Sequence, residues 1–276
     1  MVAAAVAIIS LGAIGFFYYK NNLSQEAKIY AEEIKMLKSY QGRLAPAEEK
    51  IKTNAIRVPI LVYHGVGPFY LGASQHLKTF GVEPETFERQ LQYLKTNSFT
   101  SVSFEQLTNS LSNKLRLPEK PVILTFDDGW KNQYIHAFPL LKKYNFTATF
   151  FIPTDSIGKR SLLNWDEIKE MDRAGMVIGS HTKKHLFLDD VGDEELKEEL
   201  VESKKILESQ LEHLVLDIAY PYGRYNEKVL KAVKDAGYRD ARTTDPGVYQ
   251  PKTDIFKLKG ILIFNNLEGF VGALGK

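Results

Sequence analysis

The chain contains no cysteine. That excludes disulfides, thiolate metal sites and cysteine nucleophiles together. It does not fix a compartment, because a chain that buries a large core can be secreted without disulfides. Charge of one sign is also lacking. The 36 Lys and Arg against 34 Asp and Glu leave a formal net charge of +2. With no basic cluster and no interleaving of basic and aromatic residues, no nucleic-acid partner is expected. There is no glycine-rich phosphate loop, internal repeat or low-complexity segment. Long hydrophobic runs are missing too, with a single exception at the N-terminus.

That exception is Met1–Tyr19, which carries no charged side chain before Lys20. Its length nearly matches one membrane crossing. It lacks the basic n-region and the Ala-x-Ala cleavage site of a signal peptide. Residues 1–20 therefore read as an uncleaved transmembrane anchor; the alternative is a cleaved signal and a secreted product. Lys20, Lys28 and Lys35 follow the segment, and the positive-inside rule puts such residues in the cytoplasm. Residues 21–56 read as a polar helical stalk. Tyr30, Ile34 and Leu37 recur at helical spacing behind a Ser24 N-cap, until Gly42 and Pro46 break the pattern.

Beyond residue 57 short apolar runs alternate with amphipathic stretches to the end of the chain, which defines a third region, 57–276. Strands are expected at 59–63, 99–103, 122–126, 147–152, 176–180, 214–219, 239–243 and 260–264. Helices are expected near 84–96, 104–113, 130–144, 165–174, 193–212 and 226–236. This alternation means one α/β domain. Candidate chemistry falls at strand ends: His64 after the first strand, Asp127 and Asp128 after the third, His181 after the fifth, and Tyr220-Pro221-Tyr222 after the sixth. A parallel barrel gathers such ends on one face, whereas a doubly wound sheet strings them along a line. The Asp and Glu run of 193–212 lies opposite a stripe of Leu196, Leu200, Leu207 and Leu211. It reads as a solvated face. The stretch 67–81 reads as a long polar loop.

The strand Val122-Ile123-Leu124-Thr125-Phe126 ends in Asp127-Asp128-Gly129. Adjacent acids repel and need a cation, a shared proton or solvent. His181 and His185 are four apart, so one helical turn would put both imidazoles on one face. Two imidazoles and one carboxylate form the donor set of a catalytic zinc site with a position left for water. Such an ion lowers the pKa of water and polarises carbonyls. The spare carboxylate, Asp127, then suits a general base.

These stretches resemble the polysaccharide deacetylases with a NodB-type domain, over roughly residues 57–265. The first motif appears as Thr125-Phe126-Asp127-Asp128-Gly129, and the second as His181-Thr182-Lys183-Lys184-His185 after Gly179-Ser180. The resemblance implies a distorted (β/α) barrel of about seven strands and hydrolysis of N-acetyl groups on an amino-sugar polymer. It implies Asp127 as base, with Asp128, His181 and His185 holding a divalent metal, zinc first and cobalt or nickel as alternatives. It also implies a catalytic domain outside the cell, against the charge rule above, and this expectation is preferred here.

Two departures stand out. The third motif, Ala219-Tyr220-Pro221-Tyr222-Gly223, lacks the Arg that steadies the base in the family, and no His follows His213 to serve as the C-terminal acid. Together with Leu61-Val62-Tyr63-His64-Gly65 they resemble the biofilm poly-β-1,6-N-acetylglucosamine (intercellular adhesin) deacetylases. That branch implies His64 as general acid, and the family at large implies the Tyr222 backbone N–H as oxyanion donor. The alternative readings are a peptidoglycan or chitin-oligomer deacetylase and a catalytically silent carbohydrate-binding protein. Trp165, Tyr220 and Pro221 are expected to touch the sugar. His76, His136 and His213 read as surface residues.

Overall fold

The computed structural model describes residues 55–69 and 75–274. The expected anchor and stalk, residues 1–20 and 21–56, fall almost wholly outside them. Among the described residues no helix is long and apolar enough to cross a membrane.

The strands in chain order are β1 (Ala55–Arg57), β2 (Ile60–Tyr63), β3 (Thr100–Ser101), β4 (Pro121–Phe126), β5 (Thr149–Ile152), β6 (Val177–Ser180), β7 (Asp217–Ala219), β8 (Asp240–Arg242), β9 (Tyr249–Pro251) and β10 (Ile261–Leu262). Seven of them lie side by side in the order β10-β2-β4-β5-β6-β7-β8, every neighbouring pair parallel, with β3 added beside β4. Every residue of β2, β4 and β5 is buried. Parallel strands covered on both faces need such largely apolar runs, broken here only by the buried Thr125 and Thr149.

The sheet curls into a half-barrel rather than a fully laddered barrel. A single parallel bridge, Arg242 to Leu258, links the β8 edge to the segment leading into β10. Gly260 lies in this seam. A Cβ there would sit 2.6 Å from the Thr243 carbonyl oxygen and 2.8 Å from Val62, so only glycine lets the two edges approach.

The helices follow local signals. They are α1 (Gln75–Phe80), α2 (Pro84–Thr96), α3 (Phe104–Leu111), α4 (Phe138–Tyr144), α5 (Trp165–Arg173), α6 (Asp193–Leu211), α7 (Glu227–Asp235) and α8 (Leu267–Ala273). Pro84 starts α2, where the missing N–H costs nothing. Ser103 with Gln106, and Asn164 with Glu167, form reciprocal capping boxes at α3 and α5. The expected loop at 67–81 contains α1. The antiparallel pair β1–β9 has only three residues a side, too short to show alternation in the sequence.

The expected helix 130–144 is split. Gln133–Ala137 is a π turn in which the Phe138 N–H reaches the Gln133 carbonyl. Pro139 follows and has no N–H with which to restore the α ladder. Such widened turns are frequent at functional sites. Beneath the site Tyr63, Phe126 and Phe150 stack, with ring centroids 5.2 and 4.8 Å apart. These rings immediately precede His64, Asp127 and Phe151 in the chain and set the floor under the strand ends.

Candidate active site

The parallel register pairs Tyr63 with Phe126. His64 and Asp127 therefore leave neighbouring strands at the same level. One side-chain amide ties them: Gln133, wholly buried on the π turn, donates to the His64 carbonyl at 2.9 Å and to the Asp127 carbonyl at 2.6 Å. The half-buried His64 ring packs on Phe80, with centroids 5.3 Å apart.

Asp128 turns away from Asp127 with φ at 74°. Its Oδ2 accepts from the Trp130 indole N–H at 3.0 Å. Its Oδ1 faces His181 Nε2 at 3.6 Å and His185 Nε2 at 3.4 Å, and the two Nε2 atoms lie 3.2 Å apart. A tetrahedral ion with ligand bonds of about 2.0–2.2 Å separates its ligand atoms by about 3.4 Å. The three atoms thus have the spacing of one face of such a site.

The tautomer of His181 points the same way. Its Nδ1 lies 2.8 Å from the Ala219 carbonyl oxygen, which can only accept, so Nδ1 carries the hydrogen and Nε2 presents a lone pair to Asp128. Burial lowers the His181 pKa to about 4, which keeps the ring in the neutral form that binds metal. Converging acceptors of this kind repel until a cation sits among them. Among the described residues Asp128, His181 and His185 form the cluster able to hold a metal ion.

The His181–His185 stretch is not a helical turn as its spacing suggested. Thr182 and His185 have φ of 67° and 62°. The rings converge because the loop folds back, with ring centroids 4.7 Å apart. Left-handed φ values at Asp128, Thr182, His185 and Tyr222 gather backbone strain around one spot, as functional sites do.

Asp127 is 3% exposed and is held by Arg242, which is fully buried. One guanidinium nitrogen donates to both carboxylate oxygens, at 2.6 and 2.5 Å. The guanidinium lies over the Phe151 ring, 5.3 Å from its centroid. Ala219 pairs with Arg242 across β7 and β8. The arginine missing from the third motif is therefore supplied from the partner position on the next strand. Sequence reading overlooked Arg242, although it stands at the end of an expected strand.

Tyr222 borders the cluster. Its ring lies 4.6 Å from His185 and 4.2 Å from Phe187. Its positive φ of 58° is possible beside Gly223, where a Cβ would sit 2.0 Å from Thr244 Oγ1. Tyr220 and Pro221 do not fit the expected sugar contacts. Tyr220 is 1% exposed, stacks on Tyr225 and donates its hydroxyl to the Phe256 carbonyl. Pro221 is buried beside it. The third motif turns these two inward and Tyr222 outward. Trp165 is half-buried at the first position of α5. His213 is a surface residue paired with Asp172 at 2.9 Å, His136 is half-buried, and the His76 side chain lies outside the described set.

Fold and site together define a hydrolase-type centre at the carboxyl ends of a parallel sheet. The polysaccharide deacetylase family profile matches residues 114–241. A Bacillus subtilis (strain 168) protein named as a polysaccharide deacetylase, YxkH, is 32% identical over 213 residues, covering 77% of this chain and 74% of the relative. The poly-beta-1,6-N-acetyl-D-glucosamine N-deacetylase of Staphylococcus aureus is 27% identical over 211 residues, covering 71% and 72%. Among solved structures, the Streptococcus pyogenes deacetylase PplD in complex with acetate superposes with a TM-score of 0.75 at 30% identity, covering 80% of this chain and all of that one. IcaB from Ammonifex degensii superposes at 0.70 with 27% identity, covering 79% and 96%. The chain belongs to the polysaccharide deacetylase family, whose members are metal-dependent hydrolases of N-acetyl groups.

Proposed function

We propose that this enzyme removes N-acetyl groups from a surface polymer of the poly-β-1,6-N-acetylglucosamine type, releasing acetate and leaving free amines. The observation that carries the reading is the division between the two acids. Asp128 converges with two imidazoles, while the Asp127 carboxylate, beside it, accepts from Arg242 through both oxygens.

Asp128, His181 and His185 would hold a divalent ion, zinc first. Such an ion supplies polarisation of the acetamide carbonyl and a lower pKa for water at the site. Asp127 takes the proton of the attacking water. The Tyr222 backbone N–H stabilises charge as it develops on the carbonyl oxygen. An amine leaves poorly unless protonated, and His64 delivers that proton. The absence of any histidine beyond His213 and the position of His64 beside Asp127 support this assignment. The half-buried Tyr222–Phe187 ring pair and Trp165 are the aromatic surfaces assigned to the sugar.

The β-1,6 linkage rests on the Staphylococcus aureus relative and on the strand-end histidine. Residues 1–20 would anchor the enzyme with its catalytic domain outside the cell, where the polymer lies. Acetate release from β-1,6- and β-1,4-linked N-acetylglucosamine oligomers tests the substrate. Turnover confined to the β-1,4 series rejects the linkage, and binding of either series without acetate release rejects the activity.

A further inference from the structure

We propose that Glu199 is a positioning residue for the metal site, holding the loop between the two ligand histidines in its ligating shape. It rests on the metal reading above and concerns a residue on α6, the helix that follows that loop.

The backbone donors of the loop make the case. The His181 N–H donates to the Ile152 carbonyl on the neighbouring strand at 3.2 Å. From there the Thr182 and Lys183 carbonyls still accept from the Thr154 and Asp155 N–H groups, at 3.1 and 2.9 Å, but the N–H groups of the loop turn to side chains. The Thr182 N–H donates to Ser180 Oγ at 3.2 Å, and the His185 N–H to Thr182 Oγ1 at 3.2 Å. The two amides between them, Lys183 and Lys184, both donate to Glu199 Oε2, at 3.1 and 2.8 Å. Four consecutive amides thus depend on side-chain acceptors, and one carboxylate serves the middle two. Amides shielded from water by a partner element must be satisfied there, so the loop's course follows the acceptors offered to it.

Glu199 is unlike the acids around it. It lies in the middle of α6 and is wholly buried, whereas Glu194 and Glu195 are exposed. A carboxylate in that setting needs donors. One turn further on, Ser203 sits 3.0 Å from Ser180 Oγ, the acceptor of the Thr182 amide. A single face of α6 therefore underpins the loop at two points. The left-handed φ values of Thr182 and His185 are conformations that side-chain-bearing residues rarely adopt unaided. Without Glu199 these two peptides are held only on their carbonyl side, by Thr154 and Asp155, and a tilt of their N–H groups toward water carries His185 away from His181 and Asp128.

A purely structural role would lower the stability of the metal-free protein and leave the metal affinity of the folded fraction unchanged. A positioning role changes the affinity itself. The test is competition for Zn²⁺ against a chelator, using the full-length chain in detergent, together with the thermal midpoint of the metal-free protein. Glu199→Ala should weaken Zn²⁺ binding about 10–100-fold, the usual effect of removing an outer partner of a metal site. Glu199→Gln should recover most of it, because its amide oxygen still accepts from both backbone N–H groups. Glu199→Asp keeps the charge but falls one methylene short, and should bind weakly while remaining folded; this variant decides the matter if Glu199→Ala does not fold. Wild-type Zn²⁺ affinity in folded Glu199→Ala or Glu199→Asp overturns the proposal. Failure of the wild-type chain to bind Zn²⁺ overturns the metal reading and this proposal with it, whereas His185→Ala weakening binding while Glu199→Ala does not overturns this proposal alone.

Discussion

Each end of the half-barrel buries carboxylates beside an arginine, and the two ends use them differently. At the carboxyl ends Asp127 has Arg242 to itself, while Asp128 faces two imidazoles and an indole N–H. At the amino ends Asp217 and Asp240, cross-strand partners on β7 and β8, share a single arginine, Arg239. Burial first, and their mutual repulsion after it, pushes the Asp240 carboxyl well above its ordinary range; burial also raises Asp217. Arg242 and Asp240 are two residues apart on one short strand, so their side chains share its inward face. The same strand thus feeds both ends. Two acids with separate partners can take separate tasks, whereas two acids sharing one cation are best satisfied by also holding a proton.

The largest expected effect divides the upper pair. Asp128→Ala should abolish both Zn²⁺ binding and acetate release, while Asp127→Asn should retain the ion and lose turnover. Metal analysis beside an acetate assay reads both, and equal loss of metal in the two variants would erase the distinction drawn between these acids.

Next comes His64, which has no counterpart among the groups at the lower end. His64→Ala should reduce amide turnover about 10²–10⁴-fold with metal content unchanged. An activated ester, whose leaving group needs no proton, should lose much less. Equal losses on amide and ester would remove His64 from the role of acid.

The arginines sharpen the contrast in stability. Arg242→Met leaves a buried carboxylate without its cation and should cost about 3–5 kcal/mol in denaturant unfolding. Arg239→Met should cost less, because Asp217 or Asp240 can take up a proton in its place. Equal costs would mean that the lower pair is as ionised as the upper.

The smallest effect concerns Asp240→Asn. A carboxyl whose pKa is raised on folding stabilises the protein most below its unfolded pKa of about 3.9, and that stabilisation fades as pH rises through the folded value. Thermal midpoints of the wild type should therefore decline above about pH 4, and Asp240→Asn should flatten the decline. A wild-type profile with no such fall would show that the lower pair carries no extra proton.

Much of this architecture was legible in the chain. The largely apolar runs of β2, β4 and β5 and the capping boxes begun by Ser103 and Asn164 mark their elements locally. Asp128, His181 and His185 were legible as a donor set because an acid pair and two histidines four apart each follow an apolar run read as a strand. What escaped was set by tertiary contact. The i, i+4 spacing of the histidines suggested a helix, but side-chain acceptors from β6 and α6 impose a loop. Glu199 looked like one more member of an acidic surface run, although its spacing of three from Leu196 and four from Ser203 puts it on the buried stripe of α6. Arg242 acts through the register between β7 and β8, which motif spacing does not encode. Tyr220 resembled a sugar-stacking tyrosine because its partner, the Phe256 carbonyl, lies 36 residues away.

The amide of Gln133 has a consequence for which substitutions this chain can accumulate. Its two hydrogens go to two carbonyl oxygens at the ends of different strands. No near relative of glutamine reproduces that. Glutamate at neutral pH offers oxygen to oxygen, asparagine has the hydrogens but not the reach, and methionine has the shape but no hydrogen to give. Spontaneous deamidation here would be a lesion at the point where the backbones of His64 and Asp127 are tied together, and a charge-altering variant at residue 133 should be purged as strictly as one in a residue that touches substrate.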